Sequence, residues 1–234
     1  MKKLIIAGLL SVSSLFSMTA ISMASMLEGL SIGLSASEAG FYGVGTEIVD
    51  DGSNTGTKKT TEAGAFGDTV GSVFIEYNVG PVSFGIDYIP GEIDTPENVN
   101  YQNIDITGAG DASATNKVSA SFENHSTFYM LVPVPILGGA YIKAGAIYVD
   151  INTNENLGTG SKYPNVDTNG YTVGLGYQVE AASGVSIRLE ASAATYDDVS
   201  AQTQAANSGE VTKKKVEVED MMSAKGTISI VKTF

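Results

Sequence analysis

The last nine residues, Gly226-Thr227-Ile228-Ser229-Ile230-Val231-Lys232-Thr233-Phe234, read with a period of two. Successive side chains of a strand point to opposite sides, so Gly226, Ile228, Ile230 and Phe234 share one face and Thr227, Ser229, Val231 and Thr233 the other. A strand with one apolar and one hydroxyl-rich face, ending on an aromatic, separates two media. The front of the chain indicates which compartment is involved. Residues 1–24 begin with Lys2 and Lys3, continue through apolar stretches at 4–10 and 15–21, and end on the small-residue sequence Ser22-Met23-Ala24. That is the pattern of a secretory signal peptide, which leaves 25–234 as the exported domain.

Composition excludes several classes. The formal charge is −13, and removing a signal with two lysines and no acids takes it to −15, a poor balance for a nucleic-acid binder. The absence of Cys excludes a disulfide scaffold, a thiolate metal site and a cysteine nucleophile. About 210 residues with no linker-like stretch suit one domain. A membrane helix needs about 20 consecutive apolar residues. After the signal only 126–142 approaches this, and it holds Pro133, Pro135, Gly138 and Gly139. Those residues would leave backbone groups unbonded in lipid, so a hairpin is the better reading.

Period-two segments recur along the chain. Leu30, Ile32, Leu34 and Ala36 alternate with Ser31, Gly33, Ser35 and Ser37. Val73, Ile75, Tyr77 and Val79 alternate with Ser72, Phe74, Glu76 and Asn78. Beyond Gly80-Pro81, Val82, Phe84, Ile86 and Tyr88 alternate with Ser83, Gly85, Asp87 and Ile89. Tyr171, Val173, Leu175, Tyr177 and Val179 alternate with Thr172, Gly174, Gly176, Gln178 and Glu180, and the pattern resumes after Ser183-Gly184 with Val185, Ile187, Leu189 and Ala191. Two further strands, at 117–132 and 140–151, have no readable phase.

With the closing strand the count is about eight. Three short connections, at 80–81, 133–139 and 182–184, alternate with four long polar ones at 49–67, 90–116, 152–167 and 200–212. This regular segregation predicts an all-β, eight-stranded antiparallel up-and-down transmembrane β-barrel with turns at one rim and loops at the other. The polar face is mostly Ser, Gly and Thr, which suits the cramped interior of eight strands. Eleven Tyr and eight Phe, with Tyr77, Tyr171 and Tyr177 near strand ends, fit interfacial girdles.

A polar lumen gathers charges. Glu76, Asp87, Lys143, Arg188 and Glu190 lie about four to six residues from the nearest short turn, or roughly 13 to 20 Å of strand. Ions withdrawn from water must pair. Arg188 and Lys143 are therefore expected to meet Glu76, Asp87 and Glu190, with Lys225 serving a higher layer. Such a network plugs the barrel; its open counterpart is a narrow ion-selective pore.

Signal peptide, alternating strands, loop asymmetry and terminal Phe234 together resemble the small bacterial outer-membrane β-barrels of the OmpA, OmpX and opacity-protein kind across the whole mature chain. The resemblance implies a cell-surface protein of a Gram-negative outer membrane with a structural, adhesive or interaction role and no common chemistry. It also implies Phe234 as the insertion signal read by the barrel-assembly machinery, with outer-membrane lipids and lipopolysaccharide as surroundings, an unidentified extracellular partner and a monomeric state. Lys232 departs from the usual terminal pattern and is expected to face lipid near the turn-side rim, its stem snorkelling to the headgroups.

Three alternatives stay open. One is a secreted soluble, lipocalin-like barrel with an apolar interior, and a second is a small porin. The third is an enzyme acting on the acyl chains of lipid A, because the one histidine, His125, is flanked by Glu123 and Ser126. In an extended strand His125 and Ser126 point to opposite faces, which favours a structural histidine and no catalytic residues. Gly158-Thr159-Gly160-Ser161-Lys162 lacks the spacing of a phosphate loop. Asp50, Asp51, Asp94, Glu97, Asp105 and Asp111 lack metal-loop spacing, so neither metal nor cofactor is expected. Lys58-Lys59 and Lys213-Lys214-Lys215 sit where lipopolysaccharide phosphates would be met.

Overall fold

The computed structural model describes residues 28–50, 58–106, 110–156, 162–203 and 213–234. Residues 1–24, read from the sequence as a signal peptide, lie outside the described residues. Among the described residues eleven strands form one sheet: β1 Leu30–Asp50, β2 Lys58–Val79, β3 Val82–Tyr88, β4 Ile93–Asp94, β5 Asn98–Ile106, β6 Gly110–Pro133, β7 Ala140–Asn156, β8 Val166–Ala182, β9 Val185–Tyr196, β10 Val199–Gln202 and β11 Lys213–Thr233. All neighbours are antiparallel, and β1 closes the ring on β11, with Ser31 opposite Thr233 and Tyr42 opposite Met222. β3, β4 and β5 follow one another along β6, and β9 and β10 along β11. Eight staves therefore make an up-and-down barrel, as the alternation predicts.

The tight turns end the strands where the sequence places them. Gly80 (φ 62°) and Gly184 (φ 68°) adopt the left-handed conformation that side chains with a Cβ resist. The third turn contains one turn of 3-10 helix at Pro135–Leu137.

Polarity is inverted relative to a water-soluble sheet. On β8 and β9 the outward Leu175, Val173 and Leu189 are 66, 63 and 57 % exposed, whereas Arg188 and Glu190 beside them are 5 and 8 % exposed. The same holds around the ring, with Ile32, Val73, Phe84, Phe128, Ile142 and Ile228 outside and Ser31, Ser72, Asp87, Thr127, Lys143 and Ser229 inside. An apolar wall around a polar centre is stable against lipid and unstable against water. The two strands of unread phase are now oriented: Thr127, Tyr129 and Leu131 of β6 and Tyr141, Lys143 and Ile147 of β7 point inward.

Strand length corrects one expectation. A tilted strand crosses a bilayer in about 9–11 residues, yet β1, β2 and β6 run 21, 22 and 24. Much of the sequence that reads as four long loops is sheet projecting past the aromatic rim. Its polar, two-sided composition conceals the ladder, because both faces meet water there and no alternation is required. One stave is interrupted where Pro90 and Gly91 end β3, and β2 above Val73 has no ladder to the continuation in β4.

Candidate functional site

Inward glycines opposite aromatic residues organise the lumen. Gly33 pairs with Phe74, Gly85 with Tyr129 and Gly176 with Tyr141 across adjacent strands. A Cβ at Gly33, Gly85 or Gly176 would collide with the ring of its partner, so each ring lies flat over its glycine. Laid down in this way, Tyr129 reaches Glu76 (Oη to Oε1, 2.7 Å) and Tyr141 reaches Glu190 (Oη to Oε2, 2.9 Å).

The charges complete this layer. Arg188 donates from both terminal nitrogens to Glu76, at 2.6 and 2.9 Å, in the fork geometry that suits a carboxylate. Gln178 accepts from Arg188 Nε and Nη2, at 3.2 and 2.8 Å. The guanidinium also lies 5.3 Å from the centroids of Phe74 and Tyr141. Lys143 donates to Glu190 at 3.0 Å and lies 4.4 Å above the Tyr129 ring. Glu76 and Arg188 belong to staves separated by β1 and β11, and Lys143 and Glu190 flank β8, so the bonds run across the bore. Asp87 stands beside this layer and accepts from Ser72 at 2.9 Å, and its other oxygen has no partner among the described residues. Lys225 makes no ion pair among the described residues.

Two further layers lie toward the loop rim. His125 is 7 % exposed, with Nε2 3.4 Å from Tyr196 Oη, which is itself 3.2 Å from Ser223 Oγ. Ser126 turns away and donates to Asn124 O at 3.1 Å. Above them Phe41, Phe66 and Phe122 stack with centroids 5.0 and 6.4 Å apart, packed on Val70, Ile89 and Ile93. From the turns upward the lumen is thus charged, then hydroxylated, then aromatic.

The remaining predicted residues are dispersed. Phe234 is 38 % exposed, donates its N–H to Leu30 O at 2.9 Å and accepts from Gly29 N at 3.3 Å. Lys232 bends to the Ser183 carbonyl at 3.2 Å. Asp94 accepts from Ser121 and Glu97 pairs with Lys117, both at 2.7 Å. Asp51 and most of the 158–162 stretch lie outside the described residues. The β1 register brings 213–215 and 58–59 to the same end of the sheet, opposite 48–50. Tyr129 and Tyr141 were not singled out from sequence; the signal that would find them is the Gly-aromatic cross-strand pairing, which needs the register first.

No protein-family model and no curated protein sequence matches the chain. Solved structures that it resembles are bacterial outer-membrane β-barrel proteins. The outer-membrane protein OprG from Pseudomonas aeruginosa is 17% identical over 86% of this chain and 97% of its own, with a TM-score of 0.45. The outer-membrane protease OmpT from Escherichia coli is 11% identical over 87% of this chain and 97% of its own, TM-score 0.47. Neisserial surface protein A is 12% identical over 88% of this chain and 98% of its own, TM-score 0.38.

Proposed function

We propose that the chain is a monomeric protein of a bacterial outer membrane whose lumen is plugged by the Glu76–Arg188 and Lys143–Glu190 network and whose sheet beyond the rim serves as an interaction surface. The carrying observation is the bidentate Arg188–Glu76 bond across the bore. In this reading the four ions in two pairs, with two tyrosine hydroxyls bonded to the same carboxylates, fill the bore at this level. Strands of 21 to 24 residues support the second half of the reading, because the length beyond a bilayer crossing contributes nothing to insertion.

The surrounding partners in this reading are outer-membrane lipids, lipopolysaccharide and the barrel-assembly machinery, with an extracellular partner engaged by the projecting sheet. We read the chain as a non-enzyme: His125 and Ser126 face opposite sides, and His125 meets a tyrosine rather than an acid. Retention of all lipid A acyl-chain species in cells expressing the protein, unchanged by His125→Ala, tests that part.

Planar-bilayer conductance tests the plug. The wild-type protein is expected to conduct little, and Glu76→Gln combined with Arg188→Met to leave that unchanged or raise it. Steady, ion-selective steps from the wild type would make the small-porin reading the right one.

A further inference from the structure

The turn between β6 and β7 differs from the other two at its rim. The 80–81 turn is flanked by Ser83 Oγ donating to Asn78 Oδ1 at 2.6 Å, and in the 182–184 turn the Gly184 N–H donates to Glu180 Oε1 at 3.2 Å. From Phe128 to Ile142, by contrast, the only polar side chains are those of Tyr129 and Tyr141, and both point into the lumen. At the tip, Ile136 is 93 % exposed, the highest of any large apolar residue among the described residues, and Leu137 beside it is 62 % exposed.

The tip is held in one shape. Pro133 and Pro135 restrict the backbone, the Leu137 N–H donates to Val134 O at 3.0 Å, and the Val134 N–H donates to Ala140 O at 2.8 Å. Side chains carried on a fixed backbone lose little freedom when they are covered. Its surroundings indicate the cover. Val132 and Ile142 face each other across the hairpin on the lipid side. Gly139 seats against the outward ring of Tyr177, where an added Cβ would meet two ring atoms at 3.3 Å. The apolar wall therefore runs into the turn with no polar side chain between. From Ala140 to the outward Tyr148 is roughly nine residues of β7, one bilayer crossing, so the turn stands at the inner boundary of the membrane.

We propose that residues 134–137 form an interfacial anchor, with Ile136 and Leu137 entering the inner leaflet of the outer membrane where headgroups meet acyl chains. The occupant is a lipid surface rather than a protein for two reasons. The patch lacks the polar rim that specific protein contacts carry, and it continues a surface that lipid already covers. An exposed apolar patch of this kind marks an interaction site, and at this depth it fixes how far the β6–β7 hairpin sits in the bilayer.

The chain contains neither Cys nor Trp, so single-site reporters are clean. In the full barrel, reconstituted in phosphatidylcholine–phosphatidylglycerol vesicles, a nitroxide on one introduced cysteine reports collisions with oxygen, which concentrates in acyl chains, and with a water-soluble nickel chelate. Leu175→Cys on the wall and Glu62→Cys on the projecting sheet set the lipid and water limits. Ile136→Cys and Leu137→Cys are expected to give an oxygen-to-nickel ratio several-fold above that at position 62. As a second readout, the single indole of Leu137→Trp is expected to be quenched by lipids brominated near the headgroup end of their chains and hardly by acrylamide. Water-like ratios at 136 and 137 with position 175 in lipid would overturn the anchor and leave the barrel reading standing. Protection of those labels in native outer membranes but not in vesicles would overturn it in favour of a periplasmic protein. A water-like ratio at 175 would overturn the membrane reading and the anchor together.

Discussion

Arg188 and Glu76 face each other across the barrel through two hydrogen bonds, 2.6 and 2.9 Å, although 112 residues separate them in the chain. Arg188 also bonds Gln178, its ladder neighbour on β8, but two staves, β11 and β1, stand between it and Glu76, so the Arg188–Glu76 bond fixes distant staves against one another rather than reinforcing a ladder. Removing one partner strands the other, which is the costly case for buried ions. Arg188→Met is expected to lower stability by about 3–5 kcal/mol, read as urea unfolding in detergent. Adding Glu76→Gln to that variant should recover a large part of the loss. A single substitution that costs less than about 1 kcal/mol would show that water already reaches the pair.

The glycine seats predict a second effect. Gly176→Ala adds one methyl group, but it meets the Tyr141 ring, which cannot move without dropping its hydrogen bond to Glu190. Overpacking of this kind costs about 1–3 kcal/mol. The paired change Gly176→Ala with Tyr141→Leu removes the ring along with the clash and should be less destabilising than the sum of the single changes. The same substitution at Gly40, where an added Cβ meets nothing within 4 Å, is the control and should be near neutral.

These two sites show where sequence reading stops. Barrel class, turn positions and the lumen side of Glu76, Asp87, Arg188 and Glu190 follow from period two, because one face must match lipid and the other cannot; Lys143 lies on a strand whose phase the alternation leaves open. Which ion meets which does not follow, since Glu76 and Arg188 are brought together by ring closure and stagger rather than by local spacing. The projecting sheet was hidden for a related reason: at 59–65 both faces are exposed, so the hydropathy of β2 carries no alternation there. On β6 the bulge between Glu123 and Ser126, with Asn124 at φ 52°, resets the face partway along the strand, and a single phase cannot fit both halves.

That bulge also supplies a pH dependence. Just beyond the rim, Asn124 Nδ2 donates to Asp150 at 2.8 Å and Tyr148 Oη donates to its other oxygen at 2.8 Å. The hydrogen bond from Asn124, then that from Tyr148, holds the Asp150 carboxyl below its ordinary value. A depressed folded-state value means that the stabilisation is complete above the ordinary carboxylate range and is lost as the pH falls through the lowered value. Carbon-detected titration of Asp150 is expected to show that lowered midpoint, and Asn124→Ala to return it toward the usual range. An unshifted carboxyl in the wild type would mean that these two bonds do not persist in solution.

Phe234 separates folding from delivery. Its backbone helps to close the ring through Leu30 and Gly29, bonds that any residue makes, while its ring is 38 % exposed and lies 5.8 Å from Lys232 Nζ. Replacing that ring with a methyl group removes little packing, so Phe234→Ala should change the unfolding midpoint of the purified barrel by no more than about 0.5 kcal/mol. If the aromatic is instead read by the assembly machinery, the same variant should accumulate poorly in membranes of expressing cells, measured as the fraction that shifts in gel mobility on heating. Phe234→Tyr keeps the ring and should restore that fraction. Equal accumulation of the alanine variant and the wild type would remove the recognition role and leave Phe234 as a strand end alone.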